Sequence, residues 1–208
     1  MKKYILPAII IFLLFFIAFR SNMRNEPKLL AERVFSAEKT RDGMMRINAN
    51  GHSYDIDVFE FPGIEGKLPD ANMKYEDAKN ACESAGKRLC TNAEWMEACR
   101  GAVLNKYSYG DSFNKTLCNN LHFDRRLKPS GRFESCATPD GIHDMAGNLW
   151  EWVLQSETSA LQAKGGSFRD GEISQRCEFI FKIFPSQTAH LSMDNFGTRC
   201  CRDVPDVE

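Results

Sequence analysis

The chain has 208 residues with 27 basic and 28 acidic side chains, a formal net charge of -1. That balance gives no basis for nucleic acid as a partner. Eight cysteines, an even number with no C-x-x-C pair among them, argue against the usual zinc arrangements and for disulfides formed in an oxidising compartment.

Taken in chain order, Lys2 and Lys3 precede a nearly unbroken apolar run from Ile5 to Phe19, the layout of an export signal. About fifteen residues is short for a membrane span. Ala18 and Ser21 make a poor cleavage site, so residues 1–19 read equally as a cleaved signal peptide or an uncleaved signal anchor. Either way the remainder is expected outside the cytoplasm, periplasmic or extracellular, and membrane-tethered if the segment stays on. Residues 20–50 are rich in charge, asparagine and methionine and read as a tether, with one short helix around Leu29 to Ser36. Residues 51–204 then form one domain, long enough to bury a single core.

Within the domain, Tyr54 to Phe61 alternates polar and apolar, the period of a half-buried strand that Pro62-Gly63 ends. Tyr75, Ala78, Ala81 and Cys82 fall at helical spacing, and Gly86 stops that helix. A second helix opens at Thr91. Thr91-Asn92-Ala93-Glu94 fits a capping box, Trp95, Ala98 and Cys99 share one face, and Gly101 closes the helix. Beyond Gly101 the chain is punctuated by turn dipeptides such as Gly110-Asp111, Gly147-Asn148 and Gly165-Gly166. Two early helices and a long turn-dense stretch indicate an α+β, loop-rich domain.

Asp144-Met145-Ala146-Gly147-Asn148-Leu149-Trp150-Glu151-Trp152 fits neither a plain amphipathic helix nor an alternating strand. Gly147-Asn148 marks a turn, because both residues tolerate positive φ. Two readings follow from the local chemistry. Asp144, Glu151 and the carbonyls between them converge on a hard cation such as calcium, or both acids are solvated and the tryptophans are ordinary core.

Five ordered blocks resemble the signature of the formylglycine-generating enzyme, or sulfatase-modifying factor, family. They are Ala85-Gly86-Lys87-Arg88-Leu89, Thr91 to Gly101, Gly141 to Trp152, Lys164-Gly165-Gly166-Ser167-Phe168, and Phe196-Gly197-Thr198-Arg199-Cys200. The resemblance implies a variant of the C-type lectin-like fold, reinforced by disulfides. It also implies the pairs Cys82–Cys200 and Cys99–Cys177. Cys90 and Cys201 are extra to the family pattern, each close to an end of the first bridge, and are expected to pair; Cys118–Cys136 is the pair left over. The resemblance further implies one structural calcium, held by the side chains of Asp144, Glu151 and Glu60 and the carbonyls of Gly147 and Leu149. A second family calcium site is not expected, since Asn119 is its only remnant.

The same resemblance marks a departure. Members that convert a substrate cysteine to formylglycine hold copper(I) with two cysteines after the Gly-Gly-Ser block, soft ligands suited to that ion. Here Asp170 stands at the first position and about Gln175 at the second. Copper is therefore not expected, while Asp170, Glu172, His143 and His190 remain as candidates for acid–base chemistry or for holding a metal. Ser167, Phe168, Arg169, Asp170, Glu172 and Gln175 are expected to line the old substrate groove as a binding surface, with Phe123-Asp124-Arg125-Arg126 as a second candidate loop. The leading functional expectation is an exported, non-catalytic binding module for a protein, peptide or glycan. The alternatives are a formylglycine-generating oxidoreductase with a rearranged thiol pair, such as Cys177 with Cys201, and a cell-envelope scaffold component.

Overall fold

A computed structural model describes residues 34–154, 160–184 and 193–204. The first 33 residues, with the export-signal reading and the front of the tether, lie outside the described residues, as does His190. In chain order the elements are β1 (Phe35–Lys39), β2 (Met44–Ala49), β3 (His52–Asp57), α1 (Tyr75–Ser84), β4 (Arg88–Leu89), α2 (Asn92–Arg100), β5 (Trp150–Val153), β6 (Leu161–Lys164), a 3-10 turn at Ile173–Gln175, β7 (Phe181–Ile183), β8 (Phe196–Thr198) and β9 (Cys200–Asp203). Among the described residues no helix is long and apolar enough to cross a membrane.

The five-stranded sheet runs β1-β2-β3-β9-β4, so the last strand is inserted between elements from the front of the domain. The reading of residues 20–50 as a tether needs correction from Val34 onward. β1 and β2 form an antiparallel hairpin registered Phe35↔Ala49 to Lys39↔Met45, and Met45, Ile47 and Ala49 are buried at every second position. Methionine serves there as core packing, and Ser36 belongs to a strand rather than to the short helix expected around it. β3 ends at Asp57, short of the expected Phe61, and Glu60 lies beyond the strand, fully buried, with its carboxylate toward Leu149.

Both helices form where the local signals place them. Tyr75, Ala78 and Cys82 are the buried face of α1, Asp77 accepts the Lys74 N–H at 3.2 Å, and Gly86 follows at φ +69°. In α2 the Glu94 N–H donates to Thr91 Oγ1 at 3.1 Å and the Thr91 N–H to Glu94 Oε2 at 2.8 Å, a reciprocal capping box. Arg88 locks the same glutamate with two bonds of 2.8 and 2.7 Å.

The four-stranded sheet runs β7-β6-β5-β8, with β5 and β8 parallel and the other pairs antiparallel. Trp152 stacks on Phe196 at 4.8 Å and Trp150 on Phe181 at 5.0 Å. All eight cysteines are bonded, as Cys82–Cys200, Cys90–Cys201, Cys99–Cys177 and Cys118–Cys136, the pairs anticipated above. The first two fasten α1 and the segment between β4 and α2 to β9. Four disulfides fit an oxidising, extracytoplasmic setting.

Candidate functional site

The turn that leads into β5 is built from left-handed residues: Asp144 at φ 57°, Gly147 at 86° and Asn148 at 60°. At Gly147 a Cβ would lie 2.1 Å from the Asn119 carbonyl oxygen, so only glycine fits. Asn148 is fully used. Its Nδ2 donates to Glu60 Oε2 at 2.6 Å and to the Lys128 carbonyl at 3.2 Å, while its Oδ1 accepts from Asn119 Nδ2 at 2.8 Å and the Lys128 N–H at 3.1 Å. The Leu149 N–H donates to Glu60 Oε1 at 3.1 Å. The Gly131 N–H reaches Asp144 Oδ2 at 2.7 Å.

Behind the turn Glu151 faces a buried cation. Arg199 Nε and Nη2 reach its two oxygens at 2.8 Å each, and Trp95 Nε1 adds a bond of 2.5 Å. The guanidinium also donates to the carbonyls of Asp57 (2.9 Å), Val58 (3.2 Å) and His143 (2.7 Å). Burial works against its charge, but Glu151, Glu60 and Asp144 more than offset that and hold its pKa above the ordinary value. Burial, with the charges of Asp144 and Glu151 added, raises Glu60 well above the carboxylate range. Asp144 is pushed up to about 6, chiefly by burial. Three buried carboxylates therefore lie in the field of one guanidinium, bonded to it through Glu151, and the excess negative charge favours protonation of the other two.

The same residues are those expected to hold calcium. Among the described residues no three Asp, Glu, His or Cys side chains are grouped to hold a metal ion. Both oxygens of Glu60 and both of Glu151 already accept N–H bonds. As they stand, Asp144, Gly147, Leu149, Glu151 and Glu60 do not fit a calcium cage; the positive charge facing Glu151 is Arg199.

The Gly-Gly-Ser segment follows β6. Ser167 is fully buried; its hydroxyl donates to Asp170 Oδ2, its N–H reaches the same oxygen at 3.0 Å, and Asn195 Nδ2 donates to its Oγ at 2.9 Å. Gln175 is also fully buried, with Nε2 on the Asp170 carbonyl at 3.4 Å and Oε1 without a partner. Of the six residues expected to line the old substrate groove, Ser167, Phe168 and Gln175 are buried. Arg169 and Glu172 are exposed. Arg169 lies 5.1 Å over the Phe168 ring and pairs with Asp194 at 2.8 and 2.5 Å. Glu172 accepts the Tyr107 hydroxyl at 3.0 Å, and that bond, with Arg176 adding, lowers its pKa. His143 stacks on Phe59 at 5.1 Å and its pKa is lowered by burial. No thiol is free: Cys177 and Cys201, the alternative pair, are bonded to Cys99 and Cys90.

Two important side chains carried no role in the sequence reading. Arg199 is the cation of the acid cluster, and its only signal was a charge set among apolar and cysteine neighbours. Lys164 is fully buried without a hydrogen-bond partner, 5.3 Å over the Trp95 ring. Burial depresses its pKa to about 7, against a small opposing effect of Glu178.

Comparisons with known proteins bear on the family and the fold. Residues 57–204 match the model of the sulfatase-modifying factor enzyme 1-like domain. The chain is 29% identical over 158 residues to the inactive C-alpha-formylglycine-generating enzyme 2 of Bos taurus, covering 66% of this chain and 52% of that protein. It is 31% identical over 167 residues to the formylglycine-generating enzyme of Mus musculus, covering 65% and 44%. The chain thus spans about half the length of the curated relatives it matches. Among solved structures, Treponema denticola variable protein 1 superposes with a TM-score of 0.61 at 15% identity over 83% of this chain and 93% of that one. PvdO from Pseudomonas aeruginosa gives 0.60 at 16% identity over 83% and 92%. At those identities the likeness concerns the fold alone. With the family model covering most of the chain and the five motif blocks in place, the protein belongs to the sulfatase-modifying factor enzyme 1-like family.

Proposed function

We propose that this chain is a non-catalytic member of its family, exported to an oxidising compartment, where its exposed loops bind a protein, peptide or glycan. The observation that carries this reading is the state of the two positions that hold copper-binding thiolates in formylglycine-generating relatives. Asp170 is engaged with Ser167 by its carboxylate, and Gln175 is buried as an amide. Oxygen and amide groups are poor ligands for copper(I), and every cysteine is in a disulfide. The name of the bovine relative, an inactive formylglycine-generating enzyme, points the same way. What the fold retains is a set of loops held by disulfides and side-chain clamps, and ordered loops of that kind commonly carry recognition.

The test is direct. Purified protein is incubated with a cysteine peptide of the sulfatase type, copper(I), a thiol reductant and dioxygen, and the peptide is followed by mass spectrometry. The peptide is expected to keep its thiol and gain no aldehyde. Formation of formylglycine at a rate above the copper-only control would replace the binding reading with an oxidase.

A further inference from the structure

Asparagine followed two residues on by serine or threonine, with no proline between, occurs at one place in the 208 residues, Asn114-Lys115-Thr116. That tripeptide is the acceptor pattern for an N-linked oligosaccharide on an exported chain. The pattern alone is a weak signal, so its setting in the fold decides what it can do. Asn105-Lys106 begins in the same way, but Asn105 is buried and Tyr107 stands where the small hydroxyl residue is needed.

Asn114, Lys115 and Thr116 are all exposed, in the long segment between α2 and β5. Asn114 Oδ1 accepts the Thr116 N–H at 3.0 Å and the Thr116 hydroxyl at 2.7 Å, a turn closed by the asparagine side chain. Among the described residues Asn114 Nδ2 makes no hydrogen bond. The carboxamide is thus held by its oxygen, and its nitrogen is left unengaged on an exposed residue. The backbone beneath is fixed as well. The Asn114 N–H donates to the Tyr109 hydroxyl at 3.3 Å, Asn120 Nδ2 donates to the Lys115 carbonyl at 3.2 Å, and the Cys118–Cys136 bridge begins two residues after Thr116. Phe113 is half-buried beside Tyr107, with ring centroids 5.8 Å apart. A bulky group on Nδ2 therefore displaces no packed side chain.

An amide nitrogen is a weak nucleophile because its lone pair is delocalised into the carbonyl. A hydrogen bond to Oδ1 draws charge onto that oxygen and makes an Nδ2 proton easier to remove, which is what the Thr116 hydroxyl is placed to do. We propose that Asn114 Nδ2 is the acceptor of an N-linked oligosaccharide, delivered from a polyprenyl diphosphate carrier by a transferase of the export route. A base of that enzyme takes one Nδ2 proton while the nitrogen attacks the anomeric carbon. The C–N bond forms, the anomeric C–O bond breaks, and its electron pair leaves with the polyprenyl diphosphate. No oxidant or reductant enters. The proposal rests on the export reading above and does not depend on what the loops bind.

Intact mass and peptide mapping of the full chain, isolated from the cells that make it, test the site, with cysteine alkylation read on the same sample. The peptide containing Asn114 is expected to carry a series of added sugar masses, and the peptide containing Asn105 none. Asn114→Gln and Thr116→Ala should each remove the whole mass gain, whereas Thr116→Ser keeps the hydroxyl and should retain it. These substitutions alter exposed side chains only, so all four disulfides should still form in each variant. Sugar that persists in Thr116→Ala, or sugar carried by another asparagine and not by Asn114, would overturn the assignment. So would an unmodified Asn114 in a chain whose eight cysteines are all oxidised, a result that leaves the export reading standing. An unmodified chain with free thiols would overturn the site and the export reading together, so the two failures are distinguishable.

Discussion

Replacing Arg199 by methionine removes the one guanidinium that the acids behind the turn share, while keeping most of the side-chain stem. The arginine is fully buried and makes two bonds to Glu151 and three to main-chain carbonyls. Methionine donates none of them, leaving a buried carboxylate and three buried acceptors short of partners. Breaking a buried ion pair from one side costs about 3–5 kcal/mol. Taking about 4 kcal/mol, and about 2–4 °C per kcal/mol for a domain of this size, Arg199→Met should lower the unfolding midpoint by about 8–16 °C at pH 7. Arg199→Lys keeps the charge, loses the fork, and should fall between the two. The deficit should shrink at acid pH. Asp144 has a folded pKa of about 6 against an ordinary 3.8, so the folded state holds that proton more tightly. Its burden is absent below about pH 4, grows in as the pH rises to about 6, and is full above that, on the order of 3 kcal/mol. Protonating Asp144 and Glu60 removes charge that the variant can no longer balance. Circular dichroism melts of the three proteins at pH 5 and pH 7 read both effects. A loss below about 1 kcal/mol at pH 7 would show that something other than Arg199 balances the acids.

Two further outcomes follow from the same buried charges. Lys164→Met keeps the stem against Trp95 and removes an amine with no hydrogen-bond partner; it should stabilise the fold by about 1–3 kcal/mol at pH 6. Because the folded pKa is lowered to about 7 from 10.5, the lysine's penalty is full below pH 7 and fades as the pH rises to about 10.5, so urea midpoints at pH 6 and pH 10 should show the gain shrinking. Destabilisation by Lys164→Met at both pH values would mean that the amine has a stabilising partner. Millimolar calcium against EDTA should move the melting midpoint by less than about 1 °C; saturation at 100 times the dissociation constant would add about 2.7 kcal/mol, and the rise of about 5 °C or more that this implies would show Glu60 and Glu151 turning from their N–H donors to an ion.

What could be read from the sequence was what depends on neighbours along the chain. The Thr91–Glu94 capping box, the stop at Gly101 and the turn at Gly147-Asn148 are local hydrogen-bonding or φ requirements, and each appears in the structure. The hairpin of β1 and β2 was missed although Met45, Ile47 and Ala49 alternate with Arg46 and Asn48, the same period of two that marks Tyr54 to Phe61; the charge, asparagine and methionine of the stretch were read as tether composition instead. Its pairing with β3 is local, and β3 then carries the hairpin into the sheet through β9. The charge balance around Asp144 and Glu151 was not legible for a different reason. Glu60 and Arg199 are distant in sequence from the turn, and only the fold reveals that an arginine faces Glu151. A list of oxygen ligands does not count the N–H donors that will reach those oxygens first.

The same reasoning explains how the family's reactive corner can lose its thiolates without losing its shape. The turn after β6 is held by Ser167, whose hydroxyl and amide both meet Asp170, and by Asn195, which reaches the Ser167 oxygen. Asp170 thus stands at a ligand position as a local clamp, and Gln175 fills the second position while donating to the Asp170 carbonyl. The neighbouring Cys99–Cys177 bridge ties this segment to α2. Hydrogen bonds within the turn and a disulfide beside it thus fix the backbone of this corner.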